Sequence, residues 1–282
     1  MNLSRLTTLG TGGPARAFAE PETLEELSRL LAEADGSVEV IGLGSNVLAP
    51  DEGVDALVLR LKGELAAVSV DGELLVAGGG APNAVCLHRA RAAGLGGLEF
   101  ACAIPGTAAG GVKMNAGAYG SDWAAVMVDA LVVDAAGART RTPDELGLSY
   151  RHSALAAGEV VAQVRFRLRP RPVDEIKATV SEMQARRKAT QPTNKRTFGS
   201  VFKNPGHELG AGRMLEACGL KGHRIGGAVI SPRHANFIEN AGDATSADAV
   251  ALMAEARRRA REQFGVELEH EVQLLGGLAL PK

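Results

Sequence analysis

Two glycine-rich loops constrain the fold of this chain more than any other feature. Val38–Ile41 predicts a short buried strand that runs into the first loop, Gly42-Leu-Gly-Ser-Asn46. The second loop, Pro105-Gly-Thr-Ala-Ala-Gly-Gly111, is expected to open a helix. Consecutive backbone N–H groups, and the free amides and dipole of a helix N-terminus, favour a bound anion. The two loops therefore predict a diphosphate site, to which Ser45 and Asn46 add side-chain hydrogen bonds.

Neither loop has a standard nucleotide-binding pattern. They match neither the dinucleotide fingerprint of the Rossmann fold nor the phosphate loop of the nucleoside triphosphatases. Either loop judged alone is more simply an ordinary tight turn. The diphosphate interpretation therefore depends on the presence of both.

The composition excludes several classes of function. The chain has 282 residues, 45% hydrophobic and 23% charged, which suffices for one large or two medium domains. A formal charge of -2 argues against binding to nucleic acid or a membrane surface through bulk charge. No apolar run reaches the ~18 residues that span a bilayer, and the N-terminus lacks a signal-peptide core. Three widely spaced cysteines predict reduced thiols in a cytoplasmic protein, with no metal site.

Hydrophobic periodicity predicts alternating helices and strands. Thr23 and Glu26 form a capping-box pattern that opens a helix ending near Asp35-Gly36. Asp71-Gly72 between two short apolar runs predicts a hairpin. The other predicted helices are 82–93, 174–188 and 246–264, and the other predicted strands are 56–61, 126–134, 139–141, 160–168 and 266–275.

The best candidate domain boundary is Arg169-Pro-Arg-Pro172, because two prolines and two charges interrupt the regular pattern. The expected fold class is α+β. A first domain is expected over residues 1–172 and a smaller α/β domain over residues 173–282.

The segment 196–205, Arg-Thr-Phe-Gly-Ser-Val-Phe-Lys-Asn-Pro, is the strongest candidate for chemistry. Gly199 permits close approach of the backbone to a ligand, next to the hydroxyl of Ser200. Lys203 and Asn204 add a cation and an amide that suit an anionic substrate. A loop serine is more often structural, and this one does not lie in the Gly-x-Ser-x-Gly elbow of hydrolases.

Taken with other motifs, this segment resembles a known family. Gly42–Asn46, Ile104–Thr107, Asn115–Gly120, Tyr150–Ser153 and Leu268–Val272 follow one another as in the UDP-N-acetylenolpyruvoylglucosamine reductases. The resemblance runs from about Thr8 to Gly276. It implies an FAD-binding domain of the vanillyl-alcohol oxidase type, with two α/β subdomains, followed by a smaller substrate-binding domain.

The resemblance also implies the cofactor. FAD is expected to be non-covalent, because the first loop contains neither the histidine nor the cysteine through which many of those oxidases attach it. The implied FAD-binding residues are Gly42, Gly44, Ser45, Asn46, Val47, Pro105, Gly106, Thr107, Gly110, Asn115 and Gly117.

The implied reaction uses NADPH as co-substrate. NADPH reduces FAD, and a hydride then reaches the methylene carbon of an enolpyruvyl ether, giving UDP-N-acetylmuramate for peptidoglycan synthesis. Arg151 would hold the substrate carboxylate, Ser200 would supply a proton and Glu271 would stabilise the enolate. Alternation in the predicted strand places Glu267, Glu269 and Glu271 on one face. Pattern alone favours an exposed acidic face there, and Glu269 is the nearest competitor to Glu271.

Other implied residues bind the nucleotide sugar: Lys188, Lys203, Asn204, Lys221, His234 and Asn236. Arg151 and Ser200 lie too close in sequence for the tyrosine-bearing insertion of one branch of the family, so the chain resembles the shorter type. The expected partners are the enolpyruvyl nucleotide sugar and NADPH, with no nucleic acid and no membrane. The expected assembly is a monomer or a weak homo-oligomer.

Two other interpretations stay open at this point. Another oxidase or dehydrogenase with the same FAD-binding fold would explain the glycine loops but not the Ser200 segment. A flavin- or nucleotide-binding module without catalysis would need only the loops.

Overall fold

A computed structural model describes residues 1–281, which form two compact units. The central unit comprises Ala17–Leu43 and Ala56–Arg187, and the C-terminal unit comprises Met1–Arg16, Gly44–Asp55 and the residues from Lys188 onwards.

The described residues contain α-helices, short 3-10 helices and strands. The α-helices are α1 Leu24–Glu33, α2 Asn83–Ala92, α3 Ala108–Lys113, α4 Val173–Thr190, α5 Ala211–Ala217 and α6 Ser246–Phe264. The 3-10 helices are Leu3–Arg5, Gly63–Ala66 and Glu99–Ala103. The first nine strands are β1 Ala15–Ala19, β2 Val38–Val40, β3 Val47–Leu48, β4 Val54–Leu59, β5 Val68–Asp71, β6 Leu74–Gly78, β7 Leu95–Gly96, β8 Gly117–Ala118 and β9 Ser121–Asp122. The others are β10 Met127–Asp134, β11 Gly137–Arg141, β12 Val160–Arg167, β13 Arg169–Pro170, β14 Thr197–Ser200, β15 Arg224–Ile225, β16 Ala228–Ile230, β17 Phe237–Asn240 and β18 Gln273–Leu274.

The central unit is built on a five-stranded antiparallel sheet in the order β11-β10-β12-β6-β5. Along β12, Val161 and Val164 belong to one hydrophobic cluster, while Val160 and Ala162 belong to another that includes residues of α1. The register with β10 shifts between Gln163 and Val161, so the alternation of faces along β12 is interrupted at Ala162. The two clusters show that apolar residues cover both faces of this sheet.

The predicted hairpin is present, with its turn displaced by one residue. Asp71 pairs with Leu74 at the end of the ladder, so Gly72 and Glu73 form the two-residue loop. Gly72 has φ +56°, which glycine adopts without steric cost.

The first helix begins as its sequence predicts, although the capping pattern differs in one bond. The Thr23 side chain accepts a hydrogen bond from the Glu26 N–H. The Glu26 carboxylate accepts from the Glu22 N–H instead of the Thr23 N–H of a complete capping box.

The C-terminal unit contains a four-stranded antiparallel sheet in the order β14-β17-β16-β15. One hydrophobic cluster combines Phe198 and Ile238 from this sheet with Leu215 of α5 and Leu252 of α6. Helix α6 spans the predicted residues and ends at Gly265, whose φ of +67° is the usual left-handed stop.

One strand prediction is largely wrong. Of residues 266–275, only Gln273–Leu274 forms a strand, pairing in parallel with Val47–Leu48. Before it, His270 makes an isolated bridge to Phe202, so the segment follows one short loop and lacks the ladder that a regular strand needs.

The predicted domain boundary after Pro172 stays a prediction. The compact units divide at another place, because Ile176 and Val180 of α4 are buried in the core of the central unit. The helix that follows the Pro172 boundary therefore packs mainly with the residues before it.

Candidate functional site

The first glycine loop, residues 42–46, follows the buried Ile41 and lies outside regular structure. Within residues 1–281, no acceptor pairs with the backbone N–H groups of Gly42, Leu43, Gly44 or Asn46. Gly44 has φ +63°, and a Cβ there would lie 2.0 Å from the Leu6 carbonyl oxygen. Glycine is therefore required, and the loop presents amides that suit an anion, as its sequence predicts.

The side chain of Asn46 has a structural partner. Its Nδ2 donates to the Glu271 carbonyl oxygen at 3.1 Å, and the backbone carbonyl oxygen of Asn46 accepts from the Gln273 N–H at 3.0 Å. This side chain therefore ties the first loop to the segment that carries Glu271.

The second loop leads into α3, as predicted, with Thr107 as the N-cap residue. The prediction that the amides at the start of this helix are free is wrong, however. The N–H groups of Ala108 and Ala109 donate to the carbonyl oxygens of Ala81 and Gly79, both at 2.9 Å. Anion binding by this loop therefore has to use the amides before the helix, at Gly106 and Thr107.

Sequence reasoning missed Asn83, which holds the second loop in place. This side chain is 1% exposed, and its Nδ2 donates to the Ile104 carbonyl oxygen at 3.0 Å. Its backbone N–H donates to the Gly106 carbonyl oxygen at 2.9 Å. A polar residue in the first turn of α2 was the only signal, and no motif marks it.

The two loops also meet within the central unit. A Cβ built on Gly42 would lie 2.7 Å from Thr107 Oγ1, so only glycine allows this approach. The available amides and the close glycine contact fit the diphosphate of a dinucleotide cofactor.

Asn115 and Arg151 lie in two loops that are hydrogen-bonded to each other. Both have left-handed backbones, with φ +37° for Asn115 and +53° for Arg151. Asn115 Nδ2 donates to the Ser149 carbonyl oxygen at 3.1 Å, and an Arg151 guanidinium nitrogen donates to the Gly117 carbonyl oxygen at 2.7 Å. The Arg151 guanidinium also lies 5.1 Å from the centre of the Tyr150 ring.

Ser200 and Glu271 come together in the C-terminal unit, although they are far apart in sequence. Ser200 is half-buried at the end of β14, opposite Phe237 of β17. The Glu271 N–H donates to the carbonyl oxygen of Val201, the next residue, at 2.7 Å. Gly199 has φ +83° inside β14, where the register with β17 shifts between Thr197 and Ser200.

Glu271 differs clearly from the two neighbouring glutamates. Glu267 is exposed and paired with Arg257, and exposed Glu269 lies 2.5 Å from Lys203 Nζ. Glu271 is half-buried. The predicted common strand face of these residues is wrong, because the segment forms no regular strand there.

The predicted substrate-binding residues differ widely in their surroundings. Lys188 is exposed, Lys221 lies 2.5 Å from Glu216, and Asn204 Oδ1 accepts from the Ala211 N–H at 3.0 Å. Asn236 is 5% exposed. Its carboxamide bonds both the N–H and the carbonyl oxygen of Phe202, which is a structural role.

The surroundings of His234 favour its neutral form. Burial, followed by the nearby positive charge of Lys221, lowers the pKa of its imidazole below 6.5. Nδ1 accepts from the Asn236 N–H at 3.2 Å, so the proton of the neutral ring resides on Nε2. The ring therefore offers an N–H donor.

Cys86, Cys102 and Cys218 are free thiols, and burial raises the pKa of Cys86 to about 12. No cluster of three or more His, Cys, Asp or Glu side chains among residues 1–281 could hold a metal ion. None of the helices within 1–281 has both the length and the apolar character of a membrane span.

Comparisons with known proteins found matches to both the N-terminal and the C-terminal parts of the chain. Residues 15–142 match the model of the FAD binding domain, and residues 191–275 match that of the UDP-N-acetylenolpyruvoylglucosamine reductase C-terminal domain. UDP-N-acetylenolpyruvoylglucosamine reductase 2 of Symbiobacterium thermophilum is 45% identical, over 97% of this chain and 90% of the relative. The reductase of Sphingopyxis alaskensis is 42% identical, over 97% and 93%.

A solved structure matches over almost the full length. The UDP-N-acetylenolpyruvylglucosamine reductase (MurB) of Thermus caldophilus superposes with a TM-score of 0.87 and 39% identity, over 98% of this chain and 97% of that one. The predicted fold, an FAD-binding domain followed by a smaller α/β domain, is confirmed.

Proposed function

The chain belongs to the UDP-N-acetylenolpyruvoylglucosamine reductase family, and we propose that Arg151, Ser200 and Glu271 are its catalytic residues. Family membership makes the chain an FAD-dependent oxidoreductase that uses NADPH to reduce UDP-N-acetylglucosamine enolpyruvate to UDP-N-acetylmuramate, a peptidoglycan precursor.

The glycine loops supply the proposed FAD contacts. The amides of Gly42 and Gly44, which find no acceptor among residues 1–281, and the close contact of Gly42 with Thr107 support binding of the diphosphate. The proposed residues are Gly42, Gly44, Ser45, Asn46, Val47, Pro105, Gly106, Thr107, Gly110 and Gly117. When bound, FAD accepts a hydride from NADPH and supplies it to the methylene carbon of the substrate.

Arg151 is proposed to hold the substrate carboxylate. A guanidinium suits this role because its planar fork of N–H donors matches the two oxygens of a carboxylate. Its charge does not depend on pH in the physiological range. It would also balance the negative charge that builds on the carboxylate as the enolate forms.

Ser200 is proposed to give a proton to the carbon next to the methylene carbon. An alcohol is a weak acid, so it suits this step only because the enolate is a strong base. Glu271 is proposed to stabilise the enolate, either in its protonated form or by hydrogen bonding to a protonated group. The short bond between Glu271 N–H and Val201 O, which joins the two segments, carries this proposal.

The substrate domain is proposed to be residues 173–282, and the FAD domain residues 1–172. Lys188, Lys203, Asn204, Lys221 and His234 are proposed to contact the nucleotide sugar, since they offer cations and N–H donors to a diphosphate and its sugar. Asn236 would act indirectly, by holding the backbone of Phe202. We propose a cytoplasmic enzyme that is a monomer or a weak homo-oligomer.

A two-stage anaerobic experiment tests the assignment of the three residues. NADPH is first mixed with the FAD-loaded enzyme, and the enolpyruvyl nucleotide sugar is then added in a stopped-flow spectrophotometer. Substitution of Arg151, Ser200 or Glu271 should slow reoxidation by substrate much more than reduction by NADPH. Equal losses in the two stages would contradict the proposed roles. Release of yellow FAD on acid precipitation checks that the cofactor is non-covalent.

A further inference from the structure

We propose that Asn115 is a positioning residue for Arg151 and acts through the protein rather than through contact with FAD. This inference rests on the role proposed above for Arg151. It replaces the direct FAD contact that the sequence suggests for Asn115.

The carboxamide of Asn115 has three protein partners. Nδ2 donates to the Ser149 carbonyl oxygen at 3.1 Å and to Asp122 Oδ2 at 3.2 Å. Oδ1 accepts from the Ala124 N–H at 2.9 Å. Asn115 is only 2% exposed. Both donors and the acceptor of this group are therefore used inside the protein, and no ligand is needed to satisfy them.

One of these partners, Ser149, is the first residue of the turn that carries Arg151. Ser149 and His152 exchange two backbone hydrogen bonds, both of 3.1 Å, and enclose the two-residue loop Tyr150-Arg151. The Ser149 carbonyl oxygen thus accepts from His152 and also from Asn115. Loss of the Asn115 side chain would remove support at the point where the turn begins.

A second hydrogen bond runs from the turn back to the segment that carries Asn115. An Arg151 guanidinium nitrogen donates to the carbonyl oxygen of Gly117, two residues after Asn115. The turn and the 115–117 segment therefore hold each other at both the backbone and the side chain. This arrangement fixes the guanidinium as well as the turn.

The backbone of Arg151 explains why support is needed. Its φ of +53° lies in the left-handed region, where an arginine is less stable than a glycine or asparagine. Such a residue persists only when its surroundings hold it there. Asn115 also has positive φ, at +37°, but asparagine tolerates that conformation.

The test uses Asn115→Gly, since glycine accepts the same backbone and removes only the carboxamide. In the FAD-loaded enzyme, reoxidation by substrate should slow about 10-fold or more, the scale expected when a binding group is displaced. The Kd for FAD should stay within about 3-fold. Hydrogen exchange in a peptide spanning residues 148–155 should become faster. Exposed Asn194, changed to glycine, serves as the control and should leave all three unchanged.

A double-variant cycle separates positioning from general structural damage. Asn115→Gly should add less than about 2-fold to the defect of Arg151→Asn, because both changes remove the same interaction. Effects that multiply, or a Kd for FAD raised 10-fold or more, would overturn the inference. If Asn115→Gly does not fold, the double variant Asn115→Asp/Asp122→Asn gives the same test, as it removes the donor to Ser149 without placing two carboxylates side by side. An Arg151→Asn variant with normal reoxidation would instead overturn the proposed role of Arg151.

Discussion

The side-chain amide of Asn236 hydrogen-bonds both backbone groups of Phe202, with Phe202 N–H to Oδ1 at 2.9 Å and Nδ2 to the Phe202 carbonyl oxygen at 2.8 Å. Both residues are buried. Replacement by alanine would leave two buried backbone groups unpaired, each at a cost of about 1–2 kcal/mol. We expect Asn236→Ala to lower the free energy of unfolding by about 2–4 kcal/mol. Urea titration measures this change. Exposed Asn194→Ala should have little effect, and equal stabilities would contradict the structural role.

Ser200→Ala tests the proton donor. Reoxidation by substrate should slow by about 10²-fold or more, while reduction by NADPH stays nearly unchanged. Thr197→Val on the same strand is the matched control, because Thr197 Oγ1 is buried and finds no hydrogen-bond partner within residues 1–281. This control should keep both rates and should not lower the melting temperature. Stopped-flow traces that show equal defects in both variants would rule out a specific role for Ser200.

Glu271→Gln and Glu269→Gln separate two neighbouring carboxylates. We expect Glu271→Gln to impair reoxidation by substrate strongly and to preserve FAD binding, since glutamine keeps the size but cannot exchange a proton. Glu269 is exposed and paired with Lys203, so Glu269→Gln should change the rate much less. Single-turnover rates of the two variants measure the difference. The reverse order would transfer the proposed role to Glu269.

Two substitutions of Arg151 separate its backbone strain from its charge. Arg151→Asn and Arg151→Val both remove the guanidinium, so both should lose reoxidation by substrate to a similar extent. Asparagine tolerates the positive φ, whereas a β-branched residue does not. We therefore expect the valine variant to be less stable than the asparagine variant by roughly 1 kcal/mol. Thermal melts compare the two, and equal stabilities would show that the turn is not strained.

His234 should make the enzyme less stable in mild acid. Its folded pKa lies below 6.5, so below about pH 6.5 the unfolded chain binds more protons than the folded one. Stability then falls as pH decreases from 6.5 towards the folded pKa. We expect His234→Gln to reduce this fall in urea titrations between about pH 7.5 and 5.5. Exposed His88→Gln should keep the wild-type profile, and an unchanged profile for His234→Gln would contradict the assignment.

Local sequence signals predicted those elements that depend on local interactions. Helix α6 has the predicted bounds because Thr245 and Gly265 cap it through contacts within a few residues. The strand predicted over 266–275 was mostly wrong, because its alternating pattern says nothing about which backbone lies beside it. Only the fold reveals that this segment runs along the short loop after β14.

In the candidate site, too, the sequence indicates features that depend on local backbone geometry but not contacts between distant residues. The first glycine loop is recognisable in the sequence because its backbone requires glycine at Gly44, and its FAD-binding role stays a prediction. The amides of Ala108 and Ala109 were predicted to be free, and only the fold shows that Ala81 and Gly79 occupy them. Asn83 acts through residues distant in sequence, so it has no local pattern that would identify it.

The link between Asn46 and Glu271 joins residues that are 225 positions apart. During synthesis, the first glycine loop leaves the ribosome long before the segment that completes its hydrogen bonds. The loop therefore reaches its final form only after residues 271–273 have left the ribosome, since its bonds to Glu271 and Gln273 need that segment. We therefore expect nascent chains that stop before residue 271 to bind FAD less tightly than chains that include it.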